Sequence, residues 1–185
     1  MLAKRECALL KTSYLSNLQT LMRWWTVIDT EVARFIESKV MIFVATRNEE
    51  RRPMIGRGSG AWVDAATGNV ALLVSSSQWP SMVAWAKAGM PIAITCVRPT
   101  DYQAYQIKGM IGSVRSADRD EERRGSRYVA AMLQQLGSLG VTRLQLSSTL
   151  SDRDLVHIAF RPRDLYVQTP GPAAGRRITA EGQPQ

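Results

Sequence analysis

Five short β-rich segments follow one another between residues 40 and 114 with little chain between them. They cover residues 40–46, 53–64, 69–74, 91–97 and 102–114. Three of the four connections are shorter than the roughly 12 residues that a parallel crossover needs. The connection Arg98–Asp101 has the Pro-containing composition of a hairpin loop. The pattern therefore predicts a mainly antiparallel sheet.

Helical patterns flank and interrupt these strands. Apolar residues spaced three and four apart predict helices at 29–36, near 79–86 and from about 117 to 137. Residues 155–160 alternate and predict a sixth strand, followed by a short extended piece at 165–168. The stretch 141–150 is ambiguous between strand and helix. Six strands with few helices predict a mainly β (α+β) fold, a small six-stranded, mostly antiparallel barrel with flanking helices.

The chain length of 185 residues suggests one domain. We assign residues 1–28 to an N-terminal extension, 29–178 to the domain and 179–185 to a flexible tail. Met22 is an alternative start, so the sequence leaves open whether residues 1–21 belong to the mature protein. Charged and polar residues interrupt the N-terminus, which lacks the apolar centre of a signal peptide. No apolar run approaches the roughly 20 residues of a membrane span, and we expect a cytoplasmic protein.

Cysteine and histidine are scarce, which limits the chemistry available to the chain. Cys7 and Cys96 are the two cysteines, too few for a disulfide framework. The single histidine, His157, nearly excludes a zinc or di-metal site and counts against Ser-His-Asp or Cys-His catalysis. We therefore predict no metal site. Demanding chemistry would have to come from a borrowed cofactor.

The positive charge is spread along the chain. The net charge is +8, but no Lys/Arg-rich block stands out as a nucleic-acid-binding arm. A basic balance is compatible with a phosphorylated small molecule. We expect no nucleic-acid partner.

A candidate anion site lies where the third strand leads into a helix. Ser75, Ser76 and Ser77 precede that helix, where free backbone N–H groups and the helix dipole favour an anion. Arg57, on the glycine-bearing second strand, could supply the positive charge. The glycines beside it would let a flat ligand approach the backbone. On spacing alone, a serine helix cap and a solvated arginine explain the same residues more simply.

Three other groups of residues have structural explanations as well as functional ones. Gln103, Gln106 and Lys108 alternate on the fifth strand and could contact a polar ligand, or could simply form an exposed face. His157 points away from the apolar face of its strand, which favours a structural histidine over a catalytic base. The charged residues 118–124 are typical of a solvated first helical turn.

From Asp29 to Ile178 the chain resembles the pyridoxamine 5′-phosphate oxidase-like family of FMN-binding split β-barrels. The resemblance is carried by short motifs in a characteristic order. In chain order they are Phe35-Ile36-Glu37, Val44-Ala45-Thr46, Arg52-Pro53, Arg57, Ser77-Gln78, Gly89-Met90-Pro91-Ile92-Ala93, Arg98-Pro99, Gln106-Ile107-Lys108-Gly109 and Gln168-Thr169-Pro170-Gly171-Pro172.

The resemblance implies a split barrel that forms a homodimer, with FMN bound at the subunit interface. It implies that Arg57 and the residues opening the helix after the third strand hold the phosphate. It also implies that Gln106 lies close to where fifth-strand residues of the family reach the flavin from the partner subunit and, less directly, that Gln168 lies near the ligand. The predicted cofactor-binding residues are Arg57, Gly58, Ser75, Ser76, Ser77, Gln78, Trp79 and Gln106.

Two departures from the family pattern bear on this prediction. Well-studied oxidases of the family have Arg and Lys at the helix opening, where this chain has Gln78 and Trp79. Trp62 stands near a position that is elsewhere Lys. The phosphate charge would then rest mainly on Arg57.

The resemblance implies a flavin-dependent oxidoreductase of unknown substrate. Nothing in the sequence identifies a proton donor, so no catalytic residue is predicted. The alternative is a non-enzymatic ligand-binding or sensing module that has lost or weakened flavin binding, which the missing cations favour. Haem binding has little support because a single histidine is a thin ligand supply.

Overall fold

The computed structural model describes residues 27–178. The sequence predictions that concern Cys7, Trp24-Trp25 and the tail 179–185 lie outside the described residues. None of the described helices is long and apolar enough to cross a membrane.

The described chain contains eight strands and four helices. The strands are β1 (Met41–Arg47), β2 (Pro53–Arg57), β3 (Ala61–Val63), β4 (Val70–Ser75), β5 (Pro91–Val97), β6 (Ala104–Ser116), β7 (Leu155–Val167) and β8 (Arg177–Ile178). The helices are α1 (Thr30–Glu37), α2 (Pro80–Trp85), α3 (Arg119–Ser138) and α4 (Arg143–Ser147).

The sheet closes on itself because its two edges belong to one bent segment. The strand order is β2-β1-β5-β6-β7-β4-β3, with every pairing antiparallel, and β8 pairs with β7. Only residues 58–60 separate β2 at one edge from β3 at the other. Gly58 N–H donates to Ile42 O and Ser59 N–H to Leu73 O, so the bend is bonded to both sides. Counting β2 and β3 as one strand and leaving aside the two-residue β8 gives the six-stranded split barrel that the sequence predicts.

One apolar core fills the barrel, and a second lies outside it. Fully buried side chains such as Ile42, Ile94 and Phe160 point inward, and α1 adds Phe35 and Ile36. Outside the barrel, Met132 and Leu136 of α3 pack with Leu146 and Leu150. These residues hold α3 and α4 together against the outer wall.

The structure resolves the ambiguous stretch 141–150 and corrects the expected extent of the sixth strand. The ambiguous stretch 141–150 contains α4, which starts at a Thr142–Gln145 capping box. β7 runs unbroken through Pro162, where a short extended piece separate from the sixth strand was expected. Pro162 pairs with Gly109 at a register shift, and such a bulge accommodates a residue that lacks an N–H donor.

Gly109 tests this close approach of β6 and β7. A Cβ added there would collide with the Arg161 carbonyl oxygen and the Phe160 ring. We expect Gly109→Ala to lower the free energy of unfolding by about 1–3 kcal/mol because the backbone must shift. Gly112→Ala on the same strand is the control, since its Cβ would lie 3.6 Å from the nearest atom. Urea denaturation that gives equal stabilities for the two variants would contradict the packing described here.

Candidate functional site

A row of side chains crosses the outside of the barrel from β2 to β7. Cross-strand pairing aligns Arg57, Phe43, Thr95, Gln106 and Tyr166. Paired residues of neighbouring strands point to the same side of a sheet. Arg57 and Gln106, predicted from the sequence as site residues, therefore share one face, about three strand spacings or roughly 14 Å apart along the sheet.

The adjacent row on this face is apolar at one end and charged at the other. It consists of Ile55, Ala45, Ala93, Lys108 and Asp164. Ile55 is 62% exposed, and Phe43 of the first row is 36% exposed. Ala45 and Ala93 form a shallow floor next to these two large side chains. We call the two rows together the outer face.

Arg57 begins the first row with a buried and incompletely paired guanidinium. The residue is only 9% exposed, and its Nε and Nη2 atoms are buried without a hydrogen-bond partner. The guanidinium carbon lies 5.1 Å from the centre of the Phe43 ring, which offers a cation–π contact. A buried cation without hydrogen-bond acceptors is costly, and an oxyanion would supply them.

Tyr128 of α3 lies beside Arg57. Its hydroxyl donates to Val40 O at 2.8 Å. Burial raises the pKa of Tyr128, and the nearby Arg57 charge acts in the opposite direction. The hydroxyl therefore stays protonated at neutral pH, and α3 reaches Arg57 through this side chain.

The predicted serine loop is held largely by the protein itself. The Ser75 carbonyl accepts from Trp79 N–H, and Ser75 Oγ accepts from Gln78 N–H. Ser76 Oγ donates to Asp154 O, and Gln78 Nε2 donates to Ser147 O. Ser77 is exposed, with its hydroxyl 3.2 Å from that of Ser75. Several groups predicted to face a phosphate thus already have partners.

Arg57 and the serine loop lie at the same end of the barrel. Ser59 N–H donates to Leu73 O. Because the two segments run antiparallel, Arg57 and Ser75 each lie two residues from this hydrogen bond and on the same side of it. Within residues 27–178, no hydrogen bond joins Arg57 to Ser75, Ser76, Ser77 or Gln78. The role of these residues in phosphate binding stays a prediction.

Gln106 and Gln168 lie in one cleft, and their proximity to a ligand stays a prediction. Both line a cleft of about 350 Å³ with Thr95, Tyr102 and Pro170. Gln106 Nε2 donates to Thr95 Oγ1 at 3.1 Å, which fixes the amide against the sheet. The cleft opens on the same outer face as Arg57.

The glycines of the second strand have a packing reason that the sequence did not reveal. A Cβ on Gly56 would lie 3.0 Å from the Trp79 ring, and one on Gly58 would lie 2.8 Å from Ile42 Cγ2. Gly60 has a φ of +138°, which favours glycine. Gly56 and Gly58 therefore make room for the protein's own side chains. Trp79 fills the space against Gly56.

The buried cluster around Glu121 is not predicted from the sequence, because the charged residues 118–124 are typical of a solvated helical turn. Glu121 accepts two hydrogen bonds from Arg115, at 2.7 and 2.6 Å, and one from Asp118 N–H. His157 Nδ1 lies 2.9 Å from Glu121 Oε1, and both side chains are nearly buried. The i, i+3 spacing of Asp118 and Glu121, which is that of a capping box, was the available signal.

This cluster anchors the start of α3 and accounts for His157 as a structural residue. Burial lowers the pKa of His157 despite the nearby Glu121 charge. Burial alone would raise the pKa of Glu121, but the hydrogen bonds from Arg115 and Asp118 N–H outweigh it and lower that pKa. The imidazole is therefore held neutral under α3. Within the described residues, no group of three His, Cys, Asp or Glu side chains could hold a metal ion.

The cluster predicts a pH dependence of stability. Since the folded-state pKa of His157 lies below the ordinary value of 6.5, the unfolded chain binds the proton more readily. The free energy of unfolding should fall as the pH drops from 7 through 6.5, and Glu121 should add a further loss near pH 4. Urea denaturation from pH 7 to 5 should show a shallower fall for His157→Gln. An unchanged slope in that variant would contradict this assignment.

The chain was compared with known proteins. No protein-family model matches it, and no curated protein matches it. Among solved structures, a putative pyridoxamine 5′-phosphate oxidase from Lactobacillus delbrueckii is 10% identical, covering 75% of this chain and 93% of its own, with a TM-score of 0.44. A pyridoxamine 5′-phosphate oxidase-related, FMN-binding protein from Nostoc punctiforme is 13% identical, covering 76% and 80%, with a TM-score of 0.39.

The heme storage protein HutZ from Vibrio cholerae is 14% identical, covering 75% of this chain and 93% of its own, with a TM-score of 0.41. Structures described as a putative pyridoxamine 5′-phosphate oxidase and a related protein, the family that the sequence resembles, are thus among the solved structures that match.

Proposed function

We propose that this protein binds FMN as a homodimer and acts as a flavin-dependent oxidoreductase. The observation that carries the proposal is the buried guanidinium of Arg57, whose Nε and Nη2 lack acceptors. A phosphate monoester offers three oxygens and a double negative charge, which suits a guanidinium. Ser77, whose hydroxyl is exposed at the same end of the barrel, could add a further donor.

The outer face supports the expectation of a second subunit. It carries two exposed large apolar side chains, Phe43 and Ile55, beside the small residues Ala45 and Ala93. Apolar side chains around a shallow floor are typical of the centre of a subunit interface. If two copies pack through this face, Gln106 of one protomer can approach the Arg57 end of the other. The proposed site would then need both protomers.

The residues of the chain fit FMN in part. Arg57 would hold the phosphate, Gln106 and Gln168 would offer amides to polar edges of the ring system, and Phe43 would shield the site from water. The flavin, when bound, supplies hydride or electron transfer. The protein binds, orients and shields it. In the described part of the chain no side chain on the outer face stands out as a proton donor.

A non-enzymatic binding module is the second candidate, and a specific observation favours it. The amides of Gln78 and Trp79 and the Ser76 hydroxyl are occupied by internal partners. Fewer free donors mean weaker phosphate binding, so the flavin affinity would be reduced. His157 gives no support to haem binding, because its ring is enclosed between Glu121 and Trp62.

Titration with FMN tests the role of Arg57. We expect Arg57→Gln to weaken binding at least tenfold, about 1.4 kcal/mol, because a charge-assisted hydrogen bond to phosphate is lost. Arg52→Gln is the matched control, since Arg52 is exposed on the preceding loop. Riboflavin, which lacks the phosphate, should bind the native protein and Arg57→Gln equally. Equal FMN affinity of native protein and Arg57→Gln would overturn the assignment, and a native protein that takes up no FMN would support the binding-module candidate.

The second subunit is tested by charging the outer face. Ile55→Glu should shift the sedimentation coefficient from dimer to monomer, because a carboxylate at the apolar centre of an interface is desolvated without a partner. Leu144→Glu is the control, since Leu144 is 83% exposed on α4. A native protein that sediments as a monomer, or an Ile55→Glu variant that stays dimeric, would refute this interface.

A further inference from the structure

A groove between α1 and α3 lies outside the outer face and has no role in the flavin proposal. Its volume is about 330 Å³. The floor is apolar, formed by Ile36, Ala61, Ala131 and Met132. Ala131 lies one helical turn after Arg127 on α3. Its side chain is small, so it leaves open a space that a larger residue would fill. We call this space the α1–α3 groove.

Three cations line this groove without internal partners. Within the described residues, Lys39, Arg124 and Arg127 make no hydrogen bond or ion pair through their side chains. Glu37 is the carboxylate in the lining, and it accepts a long hydrogen bond of 3.4 Å from Val63 N–H. The groove therefore combines an apolar floor with an excess of positive charge at its rim.

Trp62 fixes the position of Arg124. The guanidinium carbon of Arg124 lies 4.4 Å from the centre of the Trp62 ring. The centres of the Trp62 and His157 rings are 5.6 Å apart. A guanidinium stacked on an aromatic ring keeps its in-plane N–H donors free for a carboxylate or phosphate. Arg124 is thus oriented by a contact that uses none of its donors.

The acidic residues near the start of α3 do not neutralise these arginines. Arg124 and Arg127 also line a second cavity of about 410 Å³, together with Asp118, Asp120 and Glu121. Asp120 pairs with Arg123, and Glu121 pairs with Arg115. Asp118 caps the helix by accepting from the N–H groups of Asp120 and Glu121. Each carboxylate has its own partner, so Arg124 and Arg127 stay available.

We infer that the α1–α3 groove binds a small organic oxyanion, a carboxylate or phosphate attached to an apolar body. The oxyanion would bind Arg124 and Arg127, with Lys39 adding charge from the opposite wall. The apolar body would lie over Ala131 and Tyr128, the half-buried residues of the groove, above the fully buried Ile36 and Met132. An inorganic ion would leave this floor bare, so the organic part contributes to affinity through the apolar surface that it buries. The inference does not depend on the flavin proposal.

Calorimetric titration of the full chain with 2-naphthoate and with 2-naphthyl phosphate tests the groove. We expect at least one of the two to bind, and Arg124→Gln and Arg127→Gln each to weaken it about tenfold, as expected for the loss of a charge-assisted hydrogen bond. Arg119→Gln, an exposed position on the same helix, changes the charge equally and should leave the affinity unchanged. Which of the two probes binds more tightly distinguishes a carboxylate from a phosphate ligand.

Three results would overturn the inference. The first is the absence of binding by both probes at millimolar concentration. The second is equal weakening by Arg119→Gln, which would show an effect of net charge alone. The third is equal binding of the neutral 2-naphthamide, which would show that the groove does not recognise the anion. Thermal denaturation of each variant verifies that it is folded. The variant Trp62→Phe keeps an aromatic ring under Arg124 and should therefore retain most of the affinity for the probe.

Discussion

The bend at residues 58–60 closes the barrel and decides which strands pair. It lets β2 pair with β1 and β3 pair with β4, so one short segment closes the barrel. Gly58 has no space for a Cβ between Ile42 and Leu72, and Gly60 adopts a positive φ. Closure brings Arg57 and the serine loop to one end of the barrel. It also leaves the outer face of β1, β2, β5 and β6 as a continuous surface.

Helix α3 is the second determinant because it packs on the barrel at β4 and β7, away from that outer face. The Glu121 cluster holds its first turn, and Met132 and Leu136 hold its second half. Gly125 lies so close to the sheet that a Cβ would collide with Leu155 Cδ1. Between these anchors, α3 turns Tyr128 toward Arg57 and Arg124 toward Trp62. The same helix therefore lines the α1–α3 groove and places Tyr128 beside Arg57.

Local patterns predicted most of the fold, while the predicted site residues stay a prediction. Alternation and turn residues located the strands, and the caps Asp29 and Asp118 begin the helices where apolar spacing indicated. What failed depends on contacts distant in sequence. The continuity of β7 through Pro162 requires a bulge against Gly109, and the burial of Glu121 requires Arg115 and His157 from neighbouring strands. Gly56 and Gly58 suggested space for a ligand. The side chains that fill this space, Trp79 and Ile42, lie far away in the sequence, so local patterns could not reveal them.

The incompletely paired guanidinium of Arg57 affects the energetics of folding. Burying the Nε and Nη2 atoms of a cation without acceptors costs free energy that the rest of the core must offset, so the ligand-free protein is less stable than its packing alone would make it. Any molecule that supplies those acceptors in the folded state and does not bind the unfolded chain shifts the folding equilibrium by mass action. Occupancy at this one residue is thereby coupled to the thermal resistance of the whole barrel. The abundance of the protein in a cell would then follow the supply of its ligand.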